Sequence, residues 1–176
     1  MNRFATLGLG LALSAGAMAG GTVSHTFDLS GAASDGGSWA ENFPTMVHNF
    51  GSAGEVVMVE FDLNFTTNSP SWVSEPIVII DALADGTGDF LALDPYEYGA
   101  PDTVGSFQYA DTIMTSLASD GVISVTLFEY WDDAVSPDAV YGAGSFITVH
   151  FAAVPAPGAA AGLLGAAGLV GLRRRR

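Results

Sequence analysis

The 176 residues contain no cysteine and no lysine. Without cysteine there are no disulfides, no thiolate metal site and no cysteine nucleophile. Without lysine, Arg3 and Arg173 to Arg176 are the only permanent cations, so residues 20–172 carry nothing that would clamp a phosphate or an oxyanion by charge. Histidine is scarce too: His25, His48 and His150 occur in no H-x-H or H-E-x-x-H spacing, so a zinc site has no basis. There is no G-x-S-x-G turn for a serine nucleophile. No internal repeat is visible, and between the two ends no stretch keeps a helical period.

Acid is plentiful by contrast. All 19 acidic residues lie between Asp28 and Asp138, which gives that body a formal charge of −19 against −14 for the whole chain. Such a surface repels nucleic acid and anionic lipid, attracts cations, and stays soluble best where salt screens it. No nucleic-acid partner is expected. The length suits one domain, large enough to hold a core without disulfides even if secreted.

The two ends differ from the body. "MNRFATLGLGLALSAGAMAG" has a positive start at Arg3, an apolar stretch from Phe4 to Leu13, and small residues leading to Ala17-Met18-Ala19. This predicts a signal helix over 1–19 with cleavage between Ala19 and Gly20. At the other end Gly158 to Leu172 is uncharged for 15 residues, ten of them Gly or Ala. As a helix it reaches about 22 Å, short of a hydrocarbon core of roughly 30 Å. Arg173, Arg174, Arg175 and Arg176 then act as a stop-transfer cluster that remains cytoplasmic, their long side chains extending the effective span of a weak transmembrane helix. Glycines at 162, 165, 168 and 171 recur every third residue, which suits either close approach of a second membrane helix or simple compositional bias.

Residues 154–176 therefore have three parts: Val154-Pro155-Ala156-Pro157, the apolar segment 158–172, and the arginines 173–176. With the leader in front, this layout resembles the PEP-CTERM sorting signal, with Ala156 standing where the usual motif has glutamate. The resemblance covers only the tail. It implies recognition by an exosortase, a membrane-embedded cysteine transpeptidase-like enzyme of bacteria that make extracellular polysaccharide. The secretion machinery, signal peptidase and an exosortase-like enzyme are then the expected partners, with the membrane as a transient one through the C-terminal helix. Pro155 and Pro157 hold the motif extended for a protease to grip.

Residues 20–153 read as strands and turns. "TVSHTFDL" alternates, with Val23, His25, Phe27 and Leu29 on one face. "VVMVEFDLNF" puts Val57, Val59, Phe61, Leu63 and Phe65 on one face and Met58, Glu60, Asp62 and Asn64 on the other. "IVII" (77–80) is apolar on both faces and predicts a central strand. "VISVTLFEYW" points Ile123, Val125 and Leu127 inward, and "SFITVHF" points Ile147, Val149 and Phe151 inward, the two forming a last hairpin. That hairpin resembles the end of the jelly-roll P-type domains of secreted proteases. "PTMVHNF" and "DFLALD" are weaker strands. With turns such as "SDGG", "GSAG" and "ADGTG" between them, seven or eight strands predict an all-β, antiparallel β-sandwich, jelly-roll-like or immunoglobulin-like.

Two acidic stretches suggest chemistry. "DALADGTGDFLALD" offers Asp81, Asp85, Asp89 and Asp94 as oxygen ligands for calcium, though not in EF-hand spacing, and "EYWDDAVSPD" offers Glu129, Asp132, Asp133 and Asp138. Solvated acidic loops are the plainer reading of both. His25 reads as a packed or edge residue. Trp39, Trp72, Tyr96, Tyr98 and Trp131 would suit stacking on sugar rings, or plain packing. Two carboxylates would suffice for a small glycosidase, but no pair stands out. The sequence thus favours an exported, non-catalytic protein of structural or adhesive type, at the cell surface or in extracellular matrix with polysaccharide as a candidate partner. The alternatives are a calcium-dependent or carbohydrate-binding module and, third, a small carboxylate enzyme.

Overall fold

Alternating residues become strands throughout the part of the chain that the computed structural model describes, residues 21–34, 45–83, 90–129 and 137–154. In chain order they are β1 (Thr22–Asp28), β2 (Ala33–Ser34), β3 (Thr45–Asn49), β4 (Gly54–Thr67), β5 (Pro76–Asp81), β6 (Phe90–Leu93), β7 (Ser106–Ser119), β8 (Val122–Glu129), β9 (Ala139–Tyr141) and β10 (Phe146–Ala153). The described residues contain no α-helix, only a 3₁₀ turn at Pro95–Tyr98, and none of their helices is long and apolar enough to cross a membrane. The expected signal helix over 1–19, with Ala17, Ala19 and Gly20, the apolar segment 158–172 and Arg173 to Arg176 lie outside the described residues.

Every ladder is antiparallel. In the first sheet β4 is central. β7 runs along one side of it, while β10 and β9 lie end to end along the other. β1 and β2 follow outside them, so this sheet is four rows wide: β1/β2, β10/β9, β4, β7. The second sheet runs β3, β8, β5, β6. Inward residues of the two sheets meet in one core. Phe61, Leu63, Phe65, Ile147, Val149 and Phe151 come from the first, and Val78, Ile80, Leu93, Ile123, Val125 and Leu127 from the second. Each such side chain contributes about 1.5–3 kcal/mol by leaving water, offset by the entropy of ordering the chain.

The two open sides of the sandwich are closed differently. On the β7/β6 side the buried Tyr109 hydroxyl donates to the Leu93 carbonyl oxygen at 3.0 Å. On the β1/β3 side, the rings of His25 and His48 stack.

Three sequence expectations change. Val57 was expected inside, but Val56 is the buried residue, because a bulge between Val56 and Met58 shifts the phase of β4 before Val59 resumes the inward face. β8 and β10 form no hairpin: they belong to opposite sheets, and β9 lies between them in the chain, in the same sheet as β10. The longest unanticipated strand is β7, whose inward series Phe107, Tyr109, Ile113, Leu117 is interrupted by Asp111 and Thr115. "IVII" is central as expected, between β8 and β6.

Candidate functional site

Because β4 alternates, the polar residues opposite its core face form a row on the outside of the first sheet. Glu60 lies between Thr112 of β7 and Thr148 of β10, and Asp62 between Ala110 and Phe146. Glu60, Asp62, Ala110, Thr112 and Phe146, together with Asp111, line a shallow depression of about 460 Å³ that opens widely to solvent. Its polar groups are already tied. The His150 ring nitrogen lies 3.2 Å from Glu60 Oε2, and Gln108 Nε2 donates to Asp62 Oδ1 at 2.8 Å. Asp111 Oδ1 accepts from the Thr112 amide. Tyr98 beside it has its phenol pushed up, first by burial and then by the Asp111 carboxylate. Glu60 and Asp62 are same-face neighbours about 7 Å apart along the strand, a separation that glycosidase pairs also use. Both nevertheless face water and hold hydrogen bonds, in a depression too open to set one carboxyl apart from the other.

A second feature lies at the end of the sandwich where β4 passes to β5. Each residue of the loop 71–75 is anchored. Ser71 Oγ donates to Asp138 Oδ1, the Trp72 amide to Glu75 Oε2, the Val73 amide to the Thr103 carbonyl, and Ser74 Oγ to Asp102 Oδ1. Ser71, Val73, Ser74 and Glu75 are buried, yet Trp72 is 45 % exposed. The loop therefore holds an indole out in water on a fixed backbone. Val104, next to the Thr103 anchor, is equally exposed, and Tyr96 of the 3₁₀ turn is 65 % exposed. Tyr98 instead packs on Phe61 and Tyr109.

Of the calcium candidates, Asp81 and Asp94 are described, while Asp85 and Asp89 are not. Asp81 pairs with Phe90 at the loop end of the β5–β6 hairpin, and Asp94 follows the far end of β6, about 13 Å along the strand. Each carboxylate caps its own turn: Asp81 accepts from Leu83 N–H and Asp94 from Tyr96 N–H. Among the described residues no three His, Asp or Glu side chains gather as a metal ion needs. Val154 of the tail motif is exposed, its amide donating to the Ala53 carbonyl; Pro155, Ala156 and Pro157 lie outside the described residues.

Glu129 and Asp138 are not on solvated loops; both are buried. The inward series Ile123, Val125, Leu127 simply continues to Glu129, so a carboxyl ends a core row. Tyr141 reaches in from the other sheet. Its phenol is pushed up by burial and, less, by Glu129, and its hydroxyl meets no hydrogen-bond partner among the described residues. A buried unmatched hydroxyl is costly. Tyr141→Phe is therefore expected to stabilise the protein by about 1 kcal/mol, read as a higher urea midpoint at unchanged slope. A loss of stability would show that the hydroxyl is satisfied.

No protein-family model matches the chain, and no curated protein matches it.

Proposed function

We propose that the chain is an exported protein of structural or adhesive type, presented at the cell surface or released into extracellular matrix. It is read as sorted through residues 154–176 by an exosortase-type enzyme. One observation carries this reading: charge is segregated along the chain, with 19 acids and no Lys or Arg in the body and an apolar run closed by four arginines behind it. Membrane insertion that leaves Arg173 to Arg176 inside places the acidic body outside. The row orders β1/β2–β10/β9–β4–β7 and β3–β8–β5–β6, whose connections mostly cross between sheets, support the jelly-roll form of the sandwich over the immunoglobulin-like form.

Trypsin offers a direct test, since Gly20 to Leu172 contains no Lys or Arg. The exported body is expected to stay uncut by trypsin even in denaturant, and its intact mass in the cell-surface or medium fraction to lack residues 1–19 and the arginines. Replacing Arg173 to Arg176 by serine is expected to abolish that processing. A body found in the cytosol with its first 19 residues attached would overturn the reading.

Trp72 favours a second reading, binding of a neutral glycan. An exposed indole on a fixed backbone suits the apolar face of a sugar ring. The groups that anchor its loop (Asp102, Glu75 and the Thr103 carbonyl) carry no positive charge, which suits an uncharged ligand. Retardation of the protein in gels containing neutral polysaccharide, lost in Trp72→Ala, is the expected outcome. Equal mobility with and without polysaccharide would exclude it.

A further inference from the structure

We infer that the His25–His48 pair is an acid-released clasp between the two sheets. Among the described residues, β1 and β3 are the outermost rows of their sheets on the same side of the sandwich, and each pairs with one neighbour only, β10 and β8. On that side the two imidazoles stack face to face, centroids 3.6 Å apart and planes 9° apart. Phe27 meets His25 edge-on at 4.7 Å, and Phe50 meets His48 edge-on at 4.5 Å. Phe50 in turn lies flat on Phe151 of the core. The clasp is thus a ring-on-ring contact in an aromatic setting, and a proton on each ring would set two like charges within one stack, centroids 3.6 Å apart.

The same geometry argues against chelation of a metal. The in-plane lone pairs of near-parallel rings run side by side and do not converge on one point, whereas a metal about 2 Å from each nitrogen needs convergence.

Among the described residues no carboxylate is turned to the pair. Asp28 of β1 is turned to Ser30, Glu55 of β4 to Ser116, Asp120 of the β7–β8 turn to Val122, and Glu129 lies at the far end of β8. His150 of β10 is on the opposite face with Glu60. The body's carboxylates favour imidazolium in general, but at distance they are screened over about 10 Å at 0.1 M salt. Burial first, and His48 second, still hold the His25 imidazole below its ordinary value of 6.5. A base whose folded value is depressed contributes full stability above its unfolded value and loses it as pH falls from there through the folded value. The release window therefore lies below about pH 6.5, above the range where most carboxylates titrate. Asp28, held below the usual carboxylate range by its Ser30 hydrogen bonds, stays out of it.

The test is amide exchange on the full chain at pH 7.5 and 5.5, corrected for intrinsic rates. Protection in Thr22–Asp28 and Thr45–Asn49 is expected to fall at least tenfold relative to the centre of β4. His48→Phe, which keeps a stacked ring without a second proton site, is expected to reduce that fall to about twofold, and His25→Gln to abolish it. His150→Gln is expected to behave like the wild type. Unchanged protection of β1 and β3 in the wild type at pH 5.5 would overturn the clasp, even if every variant failed to fold. So would an equal loss over all strands, or a wild-type-sized fall in His48→Phe.

Discussion

Phe151→Ala is expected to lower the free energy of unfolding by about 3–5 kcal/mol, the largest loss from any single truncation considered for this chain. The ring is fully buried on β10, opposite Val56 of β4 and Val23 of β1. It stacks on Phe50 at 4.5 Å with planes 4° apart, so truncation also strips the support from the Phe50–His48 contact. The void would lie against Gly54, where a Cβ would run into the Phe151 ring and the Ala152 carbonyl. Gly54 has no side chain to swing into the gap, and strand backbone on both sides resists collapse, which places the loss at the upper end of that range. Urea unfolding reads it directly, because a changed midpoint at constant slope isolates stability. Ile147→Val, in the same strand, removes one methylene and is expected to cost only about 0.5–1.5 kcal/mol. A Phe151→Ala loss no greater than that would mean the site repacks, contrary to the tight Gly54 contact.

The fold was legible wherever burial on one face and water on the other imposed a period of two. The second half of β4, β8 as far as Leu127, and β10 alternate cleanly because each has one face in the core. β1 alternates in sequence, but within the strand only Phe27 is buried and Val23 is exposed. β5 reads as apolar on both faces because it is central. β7 was hidden for a physical reason. As the outermost row of its sheet it tolerates Asp111 and Thr115 in its inward series, since water reaches its free edge. β2 and β9, two and three residues long, are too short to show any period. The bulge after Val56 defeats pattern reading in principle, because one extra residue exchanges the faces on either side of it. The site was less legible than the fold. Nothing in the residue order says that Glu129 faces inward, except that it continues the odd-numbered series of β8. Nor does the sequence reveal that His25 and His48, 23 positions apart, share one stack. Those contacts arise between sheets, where pairing in space is independent of spacing along the chain.

The turn between β7 and β8 tests how much of that pairing depends on one residue without a side chain. Gly121→Ala is expected to cost about 2–4 kcal/mol, against about 1–2 kcal/mol for Gly99→Ala. Both glycines have positive φ, 99° and 82°, so both substitutions carry the penalty of a left-handed backbone. They differ in their surroundings. A Cβ at Gly99 meets open space, whereas one at Gly121 would press on the Ser52 backbone in the β3–β4 loop. That loop cannot simply retreat, since the Phe50 amide donates to the Gly121 carbonyl at 2.7 Å and the Gly121 amide donates to Ser119 Oγ. Moving Ser52 away pulls Phe50 from the Phe151 ring, so a change at a surface turn reaches the core through one hydrogen bond and one ring contact. The difference between the two variants, measured in the same urea series, isolates the steric part from the conformational part. Equal losses would mean that the two loops are not in contact and that the β3 end of the sandwich is held only by its ladder to β8.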